Sequence, residues 1–318
     1  MKQQKGIALI TILVMVALAT IIAATIAKRQ YNTTENTAYL MRQNQALFYA
    51  KSAESFFSEL LVQDSQTSAS ADYLQETWAQ PMPPFPVEDG MVSGTLQDES
   101  GRFNLNSLVN ADGKPNEVAQ KLFEKLLVRV GLTAESSQAV IDWIDPDDLP
   151  IGSMGAESNY YQGLPNSYLA ANGQFHSIEE LKQVRGFEGK KYELIEPYIS
   201  ALPIDLNNIS KININTASPL LLASIDEKLD VNTIKALVDA KQAKMEHFSS
   251  VNDLWVLPPF STVDPAIQTA FAALFDVKSN YFKAQIEVLL SNRKRQFTSH
   301  LMRKDKQVFV YARSLAPF

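Results

Sequence analysis

From Ile7 to Ala27 the chain runs without a charged side chain, preceded by Met1-Lys2-Gln3-Gln4-Lys5-Gly6 and followed by Lys28-Arg29. As a helix rising ~1.5 Å per residue, this run reaches roughly 30 Å, the hydrocarbon thickness of a bilayer. Its polar side chains, Thr11, Thr20 and Thr25, can return their hydroxyls to carbonyls one turn back, so no isolated polar group faces lipid. Lys2, Lys5 and the chain amine favour a cytoplasmic N-terminus, and Lys28 and Arg29 oppose it in part. The expectation from these residues is a single membrane pass with the N-terminus cytoplasmic. A secretory signal places its small-residue cleavage site after a shorter apolar core. Here Gly6 comes first, and a cut between Gly6 and Ile7 would remove only the basic leader, residues 1–6. The other reading of the same residues is an uncleaved anchor in which Gly6 is incidental.

A chain of 318 residues, 46% of them apolar, can bury a sizeable core and is no disordered tail on an anchor. It has no cysteine, which excludes a disulfide framework, a thiolate nucleophile and a Cys-type zinc site, and suits a periplasmic location. The net charge of −6 is unevenly spread: residues 107–275 hold 13 basic and 22 acidic residues, whereas residues 281–318 hold 8 and 2. An acidic middle disfavours phosphate and favours cations. The basic residues of the tail interleave with strand-like ones, as on a solvated strand face.

No proline or glycine interrupts the chain between Gly6 and Pro81. Ala46, Ala50, Ala53, Phe57 and Leu60 recur at spacings of three and four. Together these predict one long helix to about Val62, its first half in lipid and its second half packed through that face on a globular body. Pro81, Pro83, Pro84 and Pro86 read as a connection. Val92-Gly94-Leu96 alternate with polar residues, and after a turn at 98–101 so do Phe103 and Leu105, which predicts a hairpin. Strand periodicity returns at Phe282, Ala284, Ile286, Val288 and Leu290 and in a last run from Val308 to Ala312, with short helical segments between. Strands split by a helical block predict an α+β fold with an all-α insertion in a small antiparallel sheet. The boundaries expected are 1–6 leader, 7–27 membrane span, 28–106 helix continuation, linker and first strands, 107–277 inserted domain, and 278–318 closing strands.

These features resemble one family along essentially the whole chain: the minor pseudopilin K of type II secretion, or general secretion pathway protein K. The resemblance is carried by the leader ending at Gly6, by Gly101-Arg102-Phe103-Asn104-Leu105-Asn106-Ser107-Leu108, and by Val140-Ile141-Asp142-Trp143-Ile144-Asp145-Pro146-Asp147-Asp148. It continues through Tyr160-Tyr161, Ile178-Glu179-Glu180-Leu181, Val184-Arg185-Gly186-Phe187 and Ile212-Asn213-Ile214-Asn215-Thr216-Ala217. It implies a pilin-like fold, processing by prepilin peptidase with methylation of the new amine, and a place at the tip of the periplasmic pseudopilus with the minor pseudopilins I and J. Most pilins carry Glu at the fifth mature position. Here that position is Thr11, which brings no carboxylate into lipid and suits a subunit with none above it.

The acidic cluster Asp142, Asp145, Asp147 and Asp148, with Glu157 close behind, offers hard oxygen donors in a proline-containing turn, the chemistry calcium requires. The spacing is not that of an EF-hand. The same residues also suit helix-end and turn capping around Pro146. The resemblance implies calcium in the inserted domain. Ile212–Ala217 and Val184–Phe187 also resemble the helix-hairpin-helix units of membrane-anchored DNA receptors of the competence type, the alternative function. Gly186 and Gly189 are interrupted by Phe187 and Glu188 in an acidic domain, so no nucleic-acid binding is expected. His176, His247 and His300 are far apart, and neither a P-loop nor a nucleophile elbow is present. No enzyme is expected.

Overall fold

The computed structural model describes residues 7–67, 70–204 and 210–314. Helix α1 runs unbroken from Ile7 to Thr67, five residues past the expected end. Its first three turns past the apolar run are bare. From Ala46 onward one face is buried: Ala46, Ala50, Ala53, Phe57 and Leu61. Leu61 takes the place expected of Leu60, which is half-buried. Small residues at 46, 50 and 53 let the helix axis approach a sheet closely, and Phe57 and Leu61 fill the space beyond them.

That sheet has five strands, hydrogen-bonded in the order Met82–Val87, Gly90–Asp98, Tyr281–Leu290, Arg293–Lys304 and Gln307–Ser314. The first two are β1 (Met82–Val87) and β2 (Gly90–Asp98), and they pair antiparallel. The expected hairpin is corrected here: β2 turns back on the proline-rich segment, not on Phe103–Leu105. Prolines lack the N–H a central strand needs, but an edge strand tolerates them, and β1 lies at the edge with its register broken between Met82 and Phe85. Gly94 of β2 lies under Phe57, where a Cβ would meet the ring at 2.9 Å.

After β2 the chain leaves the sheet for the helical insertion. Its elements are β3 (Phe103–Asn104), α2 (Glu117–Arg129), α3 (Ser136–Ile144), α4 (Ser158–Gln162), α5 (Lys190–Ile195), β4 (Ile199–Ser200), β5 (Ile212–Asn213), α6 (Pro219–Ala223), α7 (Val231–Ala243), α8 (Val251–Trp255), α9 (Pro265–Ala272) and β6 (Phe275–Asp276). The sheet is then completed by β7 (Tyr281–Leu290), β8 (Arg293–Lys304) and β9 (Gln307–Ser314). Alternate residues of β7, from Phe282 to Leu290, face α1 and are buried. A second, larger apolar core holds the insertion together, around Leu105, Phe123, Leu127, Ile141, Phe187, Leu222 and Phe260.

The insertion repeats one device twice. Phe103-Asn104-Leu105-Asn106 and Ile212-Asn213-Ile214-Asn215 each open a half, and each first pair of residues bonds in parallel to that half's last strand, β3 to β4 and β5 to β6. In each, the first asparagine's oxygen accepts the second's N–H. The second asparagine then clamps a distant phenylalanine through its backbone: Asn106 on Phe175 and Asn215 on Phe248. Each phenylalanine precedes a capping box, Ser177 with Glu180 and Ser250 with Asp253.

A buried polar seam joins the insertion to the sheet. Asp98, at the end of β2, accepts from Ser100 N–H at 2.7 Å, Ser279 Oγ at 2.6 Å and the Thr216 hydroxyl. Burial pushes its carboxyl up to about 6, against those donors and with help from Asp72. The folded chain therefore holds this proton more tightly than the unfolded one. The cost of ionising Asp98 is present above pH 6 and disappears as pH falls toward 4. Compared with Asp98→Asn in urea unfolding, the wild type should gain about 1 kcal/mol between pH 7.5 and pH 5. A pH-independent difference would contradict this.

Candidate functional site

Two parts of the molecule are candidates for function, α1 and the acidic loop after α3. The first half of α1 buries nothing against the body, and its best window has a mean hydropathy of 2.9. Among the described residues α1 is the one helix long and apolar enough to cross a membrane. Thr11, Thr20 and Thr25 donate to the carbonyls of Ala8, Val16 and Ile21 at 2.8–2.9 Å, so the span presents no unsatisfied hydroxyl. Ile7 is its first described residue, and Gly6 lies outside the described residues.

The second half of α1 has two faces. One meets the sheet and carries the buried Glu54, which takes Ser299 Oγ at 2.6 Å and a two-pronged Arg313 at 2.7 and 2.8 Å. Burial alone would raise the Glu54 carboxyl, but these partners outweigh it and hold it below its ordinary value. The other face leaves Phe48 67% and Phe56 51% exposed, with Leu40 and Met41 exposed farther down the helix. Large apolar side chains at intervals along an exposed helix face are a surface for other helices.

The acidic loop begins where α3 ends. Asp142, in the last turn of α3, accepts from Ile151 N–H and, at 2.7 Å, from Ala156 N–H, which curls the following segment back over it. This brings Asp145, Asp147 and Glu157 together, with one oxygen of each within 4.8 Å of the others. Asp145 and Glu157 are each 3% exposed. Asp145 Oδ1 and both oxygens of Glu157 are buried without a hydrogen-bond partner. Burial, then the neighbouring carboxylates, push both groups up to about 7 and Asp142 up to about 6. Unpaired buried carboxylate oxygens beside a third carboxylate are a donor set that a hard divalent cation completes.

Of the five residues singled out from sequence, Asp145, Asp147 and Glu157 form this trio. Asp142 spends both its oxygens on backbone amides, and exposed Asp148 meets Asn172 Nδ2 at 3.4 Å. Sequence reasoning missed Asn172, which holds the Asp147 carbonyl through Nδ2 at 3.1 Å and keeps a buried, unpartnered Oδ1. Its position 25 residues on from Asp147 gives no local spacing by which to find it. A second acidic trio, Asp64, Asp72 and Glu76, already has its cation. Arg303 donates to Asp64 at 2.8 Å and also to Asp72. At the hairpin considered for phosphate, Gly186 N–H donates to Glu188 Oε1 at 3.0 Å, so a carboxylate occupies the amide an anion would use.

The family described as "Type II secretion system (T2SS), protein K" matches this chain twice, over residues 101–204 and 212–278. The chain is 35% identical to type II secretion system protein K of Pseudomonas aeruginosa, over 98% of this chain and 93% of that protein. It is 31% identical to the protein of that name from Aeromonas hydrophila, over 98% of this chain and 97% of the relative. Among solved structures, a chain of the GspK-GspI-GspJ complex from the enterotoxigenic Escherichia coli type 2 secretion system superposes with a TM-score of 0.78. That match has 23% identity and covers 89% of this chain and all of the other.

Proposed function

The chain belongs to the type II secretion system protein K family, and from that premise we propose that it is the minor pseudopilin capping the tip of the periplasmic pseudopilus. In this reading it helps initiate pilus assembly for protein export and binds the minor pseudopilins I and J. The observation that carries the reading is α1 itself. One unbroken helix is a membrane span at one end and the spine of a sheet at the other, so a subunit can move from bilayer to filament without refolding. The similarity in fold to a chain solved in complex with GspI and GspJ supports the choice of partners. The role is structural and not catalytic.

The topology follows from charge. Lys2 and Lys5 keep the leader in the cytoplasm, α1 crosses the inner membrane once, and the sheet and insertion stand in the periplasm. Prepilin peptidase cuts between Gly6 and Ile7, and the new amine is methylated. Thr11 then occupies mature position five with its hydroxyl turned onto Ala8, leaving no carboxylate to pair with a subunit above. A carboxylate placed there would lie in lipid at a cost of roughly 3 kcal/mol or more. Thr11→Glu is therefore expected to reduce secretion and to weaken crosslinking to minor pseudopilins at the tip. Normal secretion with normal tip crosslinks would overturn the capping role.

The acidic loop is a calcium site in this reading, with Asp145, Asp147 and Glu157 as its core and Asp142 and Asp148 shaping the loop around them. The cation supplies the positive charge that these crowded carboxylates require. The protein's own part is to hold the turn after α3 against the segment entering α4. Calcium at a hundredfold excess over its Kd should stabilise the full chain by about 2.7 kcal/mol. Asp145→Asn with Glu157→Gln should abolish that gain and leave the chelator-treated protein no less stable than wild type. Equal calcium stabilisation of both proteins would place the ion elsewhere.

A further inference from the structure

The two edges of the sheet are unlike. At one, Pro83, Pro84 and Pro86 of β1 withhold the N–H groups that a further strand would need, and the register is broken between Met82 and Phe85. Both are ways of closing an edge to further pairing. At the other, β9 reads Gln307-Val308-Phe309-Val310-Tyr311-Ala312-Arg313-Ser314, with neither proline nor glycine. Among the described residues no strand lies beyond it.

The β8–β9 turn decides which backbone groups of β9 face outward. Asp305 and Lys306 both take positive φ, 51° and 63°, and the closing pair of such a two-residue turn, here Lys304 with Gln307, exchanges both its hydrogen bonds. Bonded and non-bonded pairs then alternate. Phe309 therefore bonds to Met302, while Val308 and Val310, opposite Arg303 and Leu301, aim N–H and C=O away from β8. A bulge that takes in Tyr311, opposite the step from His300 to Leu301, ends this regular stretch. The side chains of Val308 and Val310 pack half-buried at the margin of the core beneath α1, and Phe309 is exposed. A further strand would pair the outward groups of both valines and cover apolar side chains on both faces.

Charge and direction narrow the occupant. Lys304 and Lys306 stand exposed at the head of β9, flanking Asp305, and among the described residues neither lysine forms an ion pair with a carboxylate. The two arginines at this edge are already engaged, Arg303 by Asp64 and Asp72 and Arg313 by Glu54. The same contacts set β9 running from the level of Asp64 down to that of Glu54, toward the membrane end of α1. Since every neighbouring pair in the sheet is antiparallel, β1 at the far edge runs downward too. A second copy anchored upright in the same membrane could therefore offer only downward edges, and only parallel pairing, the weaker kind.

We propose that the β9 edge takes an extended segment of another protein as an added antiparallel strand, with apolar residues alternating along it and acidic residues at its C-terminal end, facing Lys304 and Lys306. The exclusion of a second copy rests on the reading of α1 as a membrane span.

The test uses the full chain in detergent micelles and, as probe, a fluorescein-labelled peptide in which Thr and Val alternate before a C-terminal Asp-Glu. The peptide should bind, and the same peptide with its amides N-methylated should not. Val308→Pro removes one outward N–H and leaves the bonds to β8 in place. It should weaken binding about tenfold, as should Lys304→Glu with Lys306→Glu, whose exposed side chains keep the test open if the proline disturbs the strand. No binding at ~1 mM peptide, equal binding of the N-methylated peptide, or equal binding by both variants would overturn the proposal. So would dimers in sedimentation that Val308→Pro converts to monomers, which would give the edge to a second copy. Recovery of the chain in nanodiscs scores the membrane span separately from the pairing.

Discussion

The placement of the sheet, and of everything attached to it, depends on how one face of α1 meets it. Ala46, Ala50 and Ala53 bring the helix backbone close to β7 and β2, and Phe57 enters the space that Gly94 leaves open. Each large side chain buried there contributes on the order of 2 kcal/mol. The apolar contact alone would tolerate sliding by a helical turn. Glu54 prevents it, because a buried carboxylate without its partners costs several kcal/mol, and Ser299 and Arg313 meet it in one register only. Strand β9 is thereby pinned to the helix along with β8. The span therefore continues into a rigid lever and not into a tether.

The insertion can be large because its ends are secured independently of the helix. Its entrance and exit lie together at the seam of Asp98, Ser100, Thr216 and Ser279, and Asn213 adds bonds to the Asp72 carbonyl and Ser279. Each half closes on itself through a parallel strand pair and an asparagine clamp, so each satisfies its buried backbone groups locally. The acidic loop belongs to the first half alone, between α3 and α4. A cation held at that point would brace one part of the insertion without involving the sheet.

Much of this was legible in the sequence because it is periodic. The spacing of Ala46, Ala50, Ala53 and Phe57 announced the helix face, and the alternation from Phe282 to Leu290 announced the strand it packs on. The prolines at 83, 84 and 86 misled, since local propensity does not show that a segment sits at a sheet edge. The pairing of Phe103 with Ile199 joins residues 96 apart and left no local mark. The duplicated Asn-x-Asn device stood in the sequence as two separate motifs, and its meaning emerged only when each second asparagine was seen holding a phenylalanine backbone. In the acidic loop composition gave the residues, but it could not separate Asp145, Asp147 and Glu157 from Asp142, whose oxygens serve amides fixed by the fold.

The central claim is that α1 is both anchor and assembly spine, with Phe48 and Phe56 facing neighbouring subunits while Ala50 faces the sheet. Crosslinking in secreting cells tests it most directly, using Phe48→Cys and Ala50→Cys against cysteines placed on the helices of the minor pseudopilins I and J. The account predicts crosslinked species from position 48 and none from position 50. Secretion-competent cells in which position 48 crosslinks to neither subunit would contradict it.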